Sequence, residues 1–306
     1  MRSVPFFLAV VMALAAAGQP SSSPSWIERS NQNAQILLAV EARYAPEGAG
    51  SLGVSGLDDK ISMPAPDLGE RSRRDTEAAL RTLRARLSSE QDPLVKQDLE
   101  ILIQAGEREN RLSLAAEKLL LPYQNIGRTI YFGIASLLDD QVAPARRQSA
   151  VVRLRRYAGV ESGYTPITVR AEKVFREKLK TPGLLGPAKA EVEQDIANMS
   201  DFSNGIGLLL EKYKITGYQE AYAKLKAQFS GYSDFLRKEV LPKARSDFRL
   251  PPELYALRLE DFGVDYTPAD LTRLAHQSFT EIQNEMRPLA AKIAKDRGIG
   301  GAIHSA

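Results

Sequence analysis

Proline recurs in this chain one step behind a small polar residue and one step ahead of an apolar run. That placement is the feature that most restricts the fold. At Asp92-Pro93, Thr165-Pro166 and Thr267-Pro268 a capping side chain precedes a proline, and the missing proline N–H costs nothing in the first helical turn. After Thr267-Pro268-Ala269-Asp270, the residues Leu271, Leu274, Phe279, Ile282, Met286, Leu289 and Ile293 recur at helical spacing toward Gly298. Leu94, Leu99, Leu102, Leu112 and Leu119 do the same after Pro93, and that helix ends before Pro122. Thr165-Pro166 opens a helix that stops near Thr181-Pro182-Gly183, and Ala143 to Tyr157 closes on Gly159, a C′ glycine. Leu80, Leu83 and Leu87 mark an earlier helix, and Ala188–Lys212 and Tyr218–Ala244 mark two more. No sustained alternation of period two competes, so the expectation is an all-α chain, an irregular array of about 8–10 helices without a fixed repeat.

The ends read differently. Arg2, the apolar run Val4–Leu14 and Ala15-Ala16-Ala17 have the plan of a secretory signal over residues 1–17, with cleavage after Ala17. The apolar run is too short for a spanning helix, which needs about 20 residues. No stable membrane anchor is therefore expected after cleavage, and the mature protein is expected to be secreted or periplasmic. Residues 18–30, with Gln19-Pro20-Ser21-Ser22-Ser23-Pro24-Ser25, read as a flexible tether, residues 31–298 as one helical domain and residues 299–306 as a loose tail.

The chemical inventory is thin. There is no cysteine, which removes disulfides, thiolate metal sites and thiol nucleophiles, and only two histidines, His276 and His304, are present. A net charge of +3 over 306 residues is too small for a nucleic-acid-coating chain, so no nucleic-acid partner is expected. Glycines 48, 50, 53 and 56 lack the Gly-Lys-Ser/Thr and the strand-to-helix setting of a phosphate loop, and read as structural. His276 lies five residues before Glu281 and nine before Glu285, about 140° and about 180° round a helix, so the three share no face. It reads as a solvated helix histidine. Asp58-Asp59, Asp139-Asp140 and Glu260-Asp261 read as solvated turns rather than acid/base pairs, and no Gly-x-Ser-x-Gly elbow occurs. Arg146, Arg147, Arg153, Arg155 and Arg156 read as an exposed helix face whose stems cover apolar neighbours; a contact for a peptide carboxylate is the functional alternative. Tyr255 and Tyr266 could donate hydrogen bonds to a substrate but read as packing residues. No catalytic, cofactor-binding or metal-binding residue is assigned.

Tyr44-Ala45-Pro46-Glu47, Leu52-Gly53 and Gly56-Leu57-Asp58, followed by a leucine-rich helix and Asp92-Pro93, resemble the amino-terminal region of the bacterial domain-of-unknown-function 885 family. Later segments agree in order: Arg153-Leu154 with Tyr157 and Gly159, Pro166 with Ala171, Phe235-Leu236, Leu241-Pro242-Lys243-Ala244, Pro252 to Leu257, Tyr266-Thr267-Pro268, and Glu281-Ile282 with Glu285-Met286. The resemblance implies an exported, helical, zinc-dependent peptidase-like protein with a peptide substrate. It also implies a His-Glu helix, a Pro-Gly-His segment and a further glutamate as the zinc motif, and none of these is present in this chain. The expected function is therefore the non-catalytic, amino-terminal portion of such a protein, supplying part of a substrate cleft without a cofactor of its own. A stand-alone exported binding or scaffolding protein is the alternative. The Thr267–Gly298 stripe is expected to stand partly exposed and to promote association.

Overall fold

A computed structural model describes residues 25–299; the signal segment, most of the tether, His304 and the rest of the tail lie outside the described residues. The chain is all-α. Helices α1 (Trp26–Tyr44), α3 (Leu68–Ser89) and α4 (Pro93–Leu119) form one layer, with the short α2 (Pro46–Ser51) between the first two in sequence. The layer closes on Leu80, Leu83, Val95, Leu99 and Ile103. A second, larger layer contains α5 (Ile126–Ala135), α7 (Ser149–Tyr157), α8 (Ile167–Lys178), α9 (Lys189–Lys212) and α10 (Gln219–Phe235), around Ile130, Ile134, Leu154, Ile206, Leu225 and Leu236. The four-residue α6 (Pro144–Arg147) precedes α7, and α10 runs on through a π-type turn, Leu236–Val240, and a 3-10 turn, Leu241–Lys243. Helix α11 (Pro252–Asp261) returns to the first layer, where Leu254 packs on Leu112 and Ala115 of α4. Helix α12 (Pro268–Asp296) has no buried residue.

Most of the punctuation works as the sequence indicates. Asp92 accepts from the Leu94 N–H at 3.0 Å and Thr267 from the Asp270 N–H at 3.2 Å, which satisfies orphan donors of α4 and α12. Gly159 closes α7 with φ at 64°, a value that favours glycine, and a Cβ there would meet Pro166. Three boundaries differ, one of them at Thr165-Pro166: Pro166 is itself the N-cap of α8, which begins at Ile167, and no side-chain capping bond forms. The fold begins before Asn31, at Trp26, because Ser25 and Glu28 form a capping box: Ser25 Oγ accepts from the Glu28 N–H, and Glu28 accepts from the Ser25 N–H at 2.7 Å. The expected single helix Ala143–Tyr157 is instead the pair α6 and α7, broken at Gln148.

Two isolated parallel bridges bring the segment after α8 against the end of α4 and the segment after α10 against the segment after α8. In one, Leu185 donates to the Leu119 carbonyl and Leu121 donates to the Leu185 carbonyl, at 2.9 and 2.8 Å. In the other, Arg245 donates to the Pro187 carbonyl and Lys189 to the Arg245 carbonyl, at 2.9 and 2.8 Å. Gly186 lies between them, where a Cβ would sit 1.8 Å from the Lys243 carbonyl oxygen. Only glycine lets these two backbones approach so closely.

Candidate functional site

The residues singled out in the sequence divide into two groups. The arginines of α6 and α7 and the paired aspartates at 58 and 59 come together, but as structure. Arg153 is buried, not part of an exposed face; its Nη1 donates to the Gly133 carbonyl at 2.6 Å and to Ser136 Oγ at 3.2 Å, and its Nη2 donates to the Leu57 carbonyl at 2.8 Å. Arg156 donates to the Asp59 carbonyl, to Asp59 Oδ2 at 2.6 Å and to Glu161 at 3.0 Å. Arg146 holds Asp58 bidentately at 2.8 Å. That hydrogen bond from Arg146 holds the Asp58 carboxyl below its ordinary pKa. The glycine-containing loop is thus clamped by guanidinium groups, and Glu47 closes its far end by accepting from Tyr157 Oη at 2.6 Å and from the Ser62 N–H. The exposed-face reading fails for Arg153 because the partners are main-chain carbonyls far away in sequence, which no local pattern reports.

The remaining singled-out residues do not converge. Asp139 accepts from the Gln141 N–H at 2.9 Å, Asp140 from Tyr213 Oη at 2.9 Å, and Glu260 pairs with Arg111. Tyr255 and Tyr266 are exposed and belong to none of the core clusters. His276 is on the exposed surface of α12, and among the described residues no group of three or more His, Cys, Asp or Glu side chains is placed to hold a metal ion. A hydrolytic zinc site needs three protein ligands and an open position, so the described residues do not fit one.

A cleft of about 600 Å³ opens elsewhere, at the meeting of the two layers. Leu68, Gly69 and Arg73 of α3 and Ser113, Ala116 and Glu117 of α4 form one wall. Val174 and Lys178 of α8 and the Leu185–Ala188 segment form another; Glu191 of α9, Arg245, Phe248, Leu250 and Arg258 of α11 complete it. Glu117 accepts from Lys178 Nζ at 2.8 Å and from Arg73, which also donates to Ser113 Oγ at 3.0 Å. These partners, Lys178 foremost, lower the Glu117 pKa against the opposing effect of burial. Arg245 is committed to main chain: Nε donates to the Gly186 carbonyl at 2.9 Å and Nη1 to the carbonyls of Asp247 and Arg249. Arg258 is exposed, and its guanidinium makes no hydrogen bond or ion pair among the described residues, though its charge acts on Glu109 of α4. Glu191 also lacks an ion pair, and burial and the nearby Asp195 push its pKa up. Asp195 accepts from Tyr123 and from Asn125, the N-cap of α5, beneath this wall.

The cleft therefore offers an apolar floor, a neutralised Glu117, a spare guanidinium at Arg258 and a spare carboxyl at Glu191. Such a set can bind a polar, extended ligand with charges of both signs; it contains no nucleophile–base pair. Sequence reasoning named none of these residues, because six separate segments supply them. Only the close-packing glycine at Gly183-Leu184-Leu185-Gly186-Pro187 could have hinted at the junction.

The fold and cleft define an all-α protein with a charged inter-layer groove and no helix, among the described residues, long and apolar enough to cross a membrane. The chain belongs to the family described as bacterial protein of unknown function (DUF885), whose model matches residues 46–306. Neither the curated proteins nor the solved structures contain a significant match to it.

Proposed function

We propose that the chain is the non-catalytic, amino-terminal portion of an exported, zinc-dependent peptidase-like protein, and that the inter-layer cleft is its contribution to peptide binding. The observation that carries this reading is the lining of the cleft: apolar side chains beside Arg258 and Glu191, two charged groups there whose side chains make neither a hydrogen bond nor an ion pair among the described residues. A peptide presents main-chain polar groups, apolar side chains and terminal charges, which this lining can match. Hydrolysis, in this reading, is not carried by the described residues, since no ligand set for zinc is assembled among them.

The test is fluorescence anisotropy of short dye-labelled peptides titrated with the mature chain. Saturable binding without cleavage is expected, weakened about tenfold or more by Arg258→Glu, a loss of about 1.4 kcal/mol. Binding that ignores both Arg258→Glu and Glu191→Lys would remove the cleft from the reading. Export is tested separately: the processed protein should begin at Gly18, and intact Met1 on secreted material would reject it.

A further inference from the structure

We propose that the apolar face of α12 is a self-association surface, and that two copies of this chain pair through it antiparallel. The proposal is independent of the cleft. Phe279, Ile282, Met286, Leu289 and Ile293 are each between 53% and 61% exposed. At 100° per residue they fall within an arc of about 80°, a continuous seam along the helix. Two such seams brought together cover on the order of 1,000 Å², the lower bound for a stable specific interface.

The spacing and the charges select the occupant. The seam steps by three and four residues from Phe279 to Ile293, the a/d spacing of a paired helix. In an antiparallel pair centred between Arg287 and Pro288, Met286 is level with the partner's Leu289, and Ile282 with the partner's Ile293. Both members of each contact are then apolar. Glu285 and Lys292 lie on one flank of the seam, both exposed and both without a hydrogen bond or ion pair among the described residues. The same register brings Glu285 beside the partner's Lys292, and the two-fold axis repeats the contact. A parallel pair would place Glu285 and the partner's Lys292 on opposite sides of the seam, with Glu285 beside the partner's Ala290, and neither charge would be met. Pro288 removes the N–H that would bond the Asn284 carbonyl, and it lies on the side of the helix away from the seam, so its ring does not obstruct the approach.

Sedimentation of the full mature chain should show a concentration-dependent dimer at micromolar levels. Met286→Asp should yield a monomer with an unchanged far-ultraviolet circular dichroism spectrum. Glu285→Lys and Lys292→Glu should each weaken the dimer at least about tenfold, and the double variant should recover most of that loss. Because the chain has no cysteine, disulfide trapping is unambiguous. Ile282→Cys mixed with Ile293→Cys should cross-link under mild oxidation, while each alone should not, since like positions lie about 16 Å apart along the pair. A monomer at 100-fold the expected range, an additive double variant, or self-linkage of Ile282→Cys would each overturn the proposal.

Discussion

Replacing Arg153 by Met tests whether the glycine-containing loop is held by a buried guanidinium. The substitution keeps much of the apolar stem and deletes three donated hydrogen bonds, two of them to the main-chain carbonyls of Gly133 and Leu57. Gly133 and Leu57 each keep a second donor, Ser136 Oγ and the Lys60 N–H, so the cost is that of the lost guanidinium bonds themselves, roughly 3–6 kcal/mol for the two main-chain contacts. Part of that is offset, because Arg153 Nε is buried without a partner and its removal relieves about 1–2 kcal/mol. The net loss should be about 2–4 kcal/mol. Urea unfolding followed by circular dichroism would read this as a midpoint lowered by roughly 1 M, for a slope of about 3 kcal/mol/M. Arg155→Met is the internal control: its side chain makes no hydrogen bond or ion pair among the described residues, and its loss should stay within about 0.5 kcal/mol. Hydrogen exchange should show the 52–62 amides opening in Arg153→Met before the helices do. If the two variants destabilise equally, or if loop protection is unchanged, the clamp does not hold the loop.

Gly186→Ala should cost roughly 2–4 kcal/mol, since its Cβ would meet the Lys243 carbonyl and separate the bridged segments; thermal unfolding and loss of peptide binding would check it together. Acidification should destabilise the chain below about pH 4. Asp58 and Glu117 have folded pKa values lowered by Arg146 and Lys178, so their contribution is complete above the unfolded values and is lost as pH falls through the folded ones. Asp58→Asn should flatten part of that acid limb in pH-dependent urea titrations. Equilibrium dialysis should find no stoichiometric zinc on the mature chain, and His276→Ala should not alter the result; one zinc per chain lost on that substitution would refute the reading of α12.

The helices were legible because their ends are written locally. A cap residue and a proline act within one turn, and Asp92, Thr267 and Gly159 perform in the structure the roles their types imply. The Ser25–Glu28 capping box was equally local and was obscured by the Pro/Ser-rich run before it. The exposed seam of α12 was legible for a different reason: seven apolar residues recur at helical spacing on one helix face. Arg153 and the cleft were not. A run of arginines on a helix has the same sequence whether its donors reach water or the carbonyl of Leu57, and the outcome depends on how the second layer docks. The cleft depends further on Gly186, Lys243 and two bridges between segments that carry no periodicity.

The polar residues that sequence patterns left unread are also the ones that join the two apolar clusters. Each cluster is built of helices neighbouring in sequence, and by packing alone the layers could open independently. Glu47 of α2 ties to Tyr157 of α7, Arg170 of α8 donates to the Pro64 carbonyl at 3.0 Å, and Glu117 of α4 ties to Lys178 of α8. Tyr157 is fully buried, and burial raises its pKa well above the ordinary value, so it remains a donor to Glu47 across the physiological range. Apolar burial accordingly forms the layers, and directional bonds of buried or half-buried groups fix how one sits on the other. The cleft lies on that junction, so its shape is set by the polar ties rather than by either core. A substitution within a core should lower the stability of its own layer, while Tyr157→Phe, which leaves Glu47 without its buried donor, should loosen the junction and the cleft together.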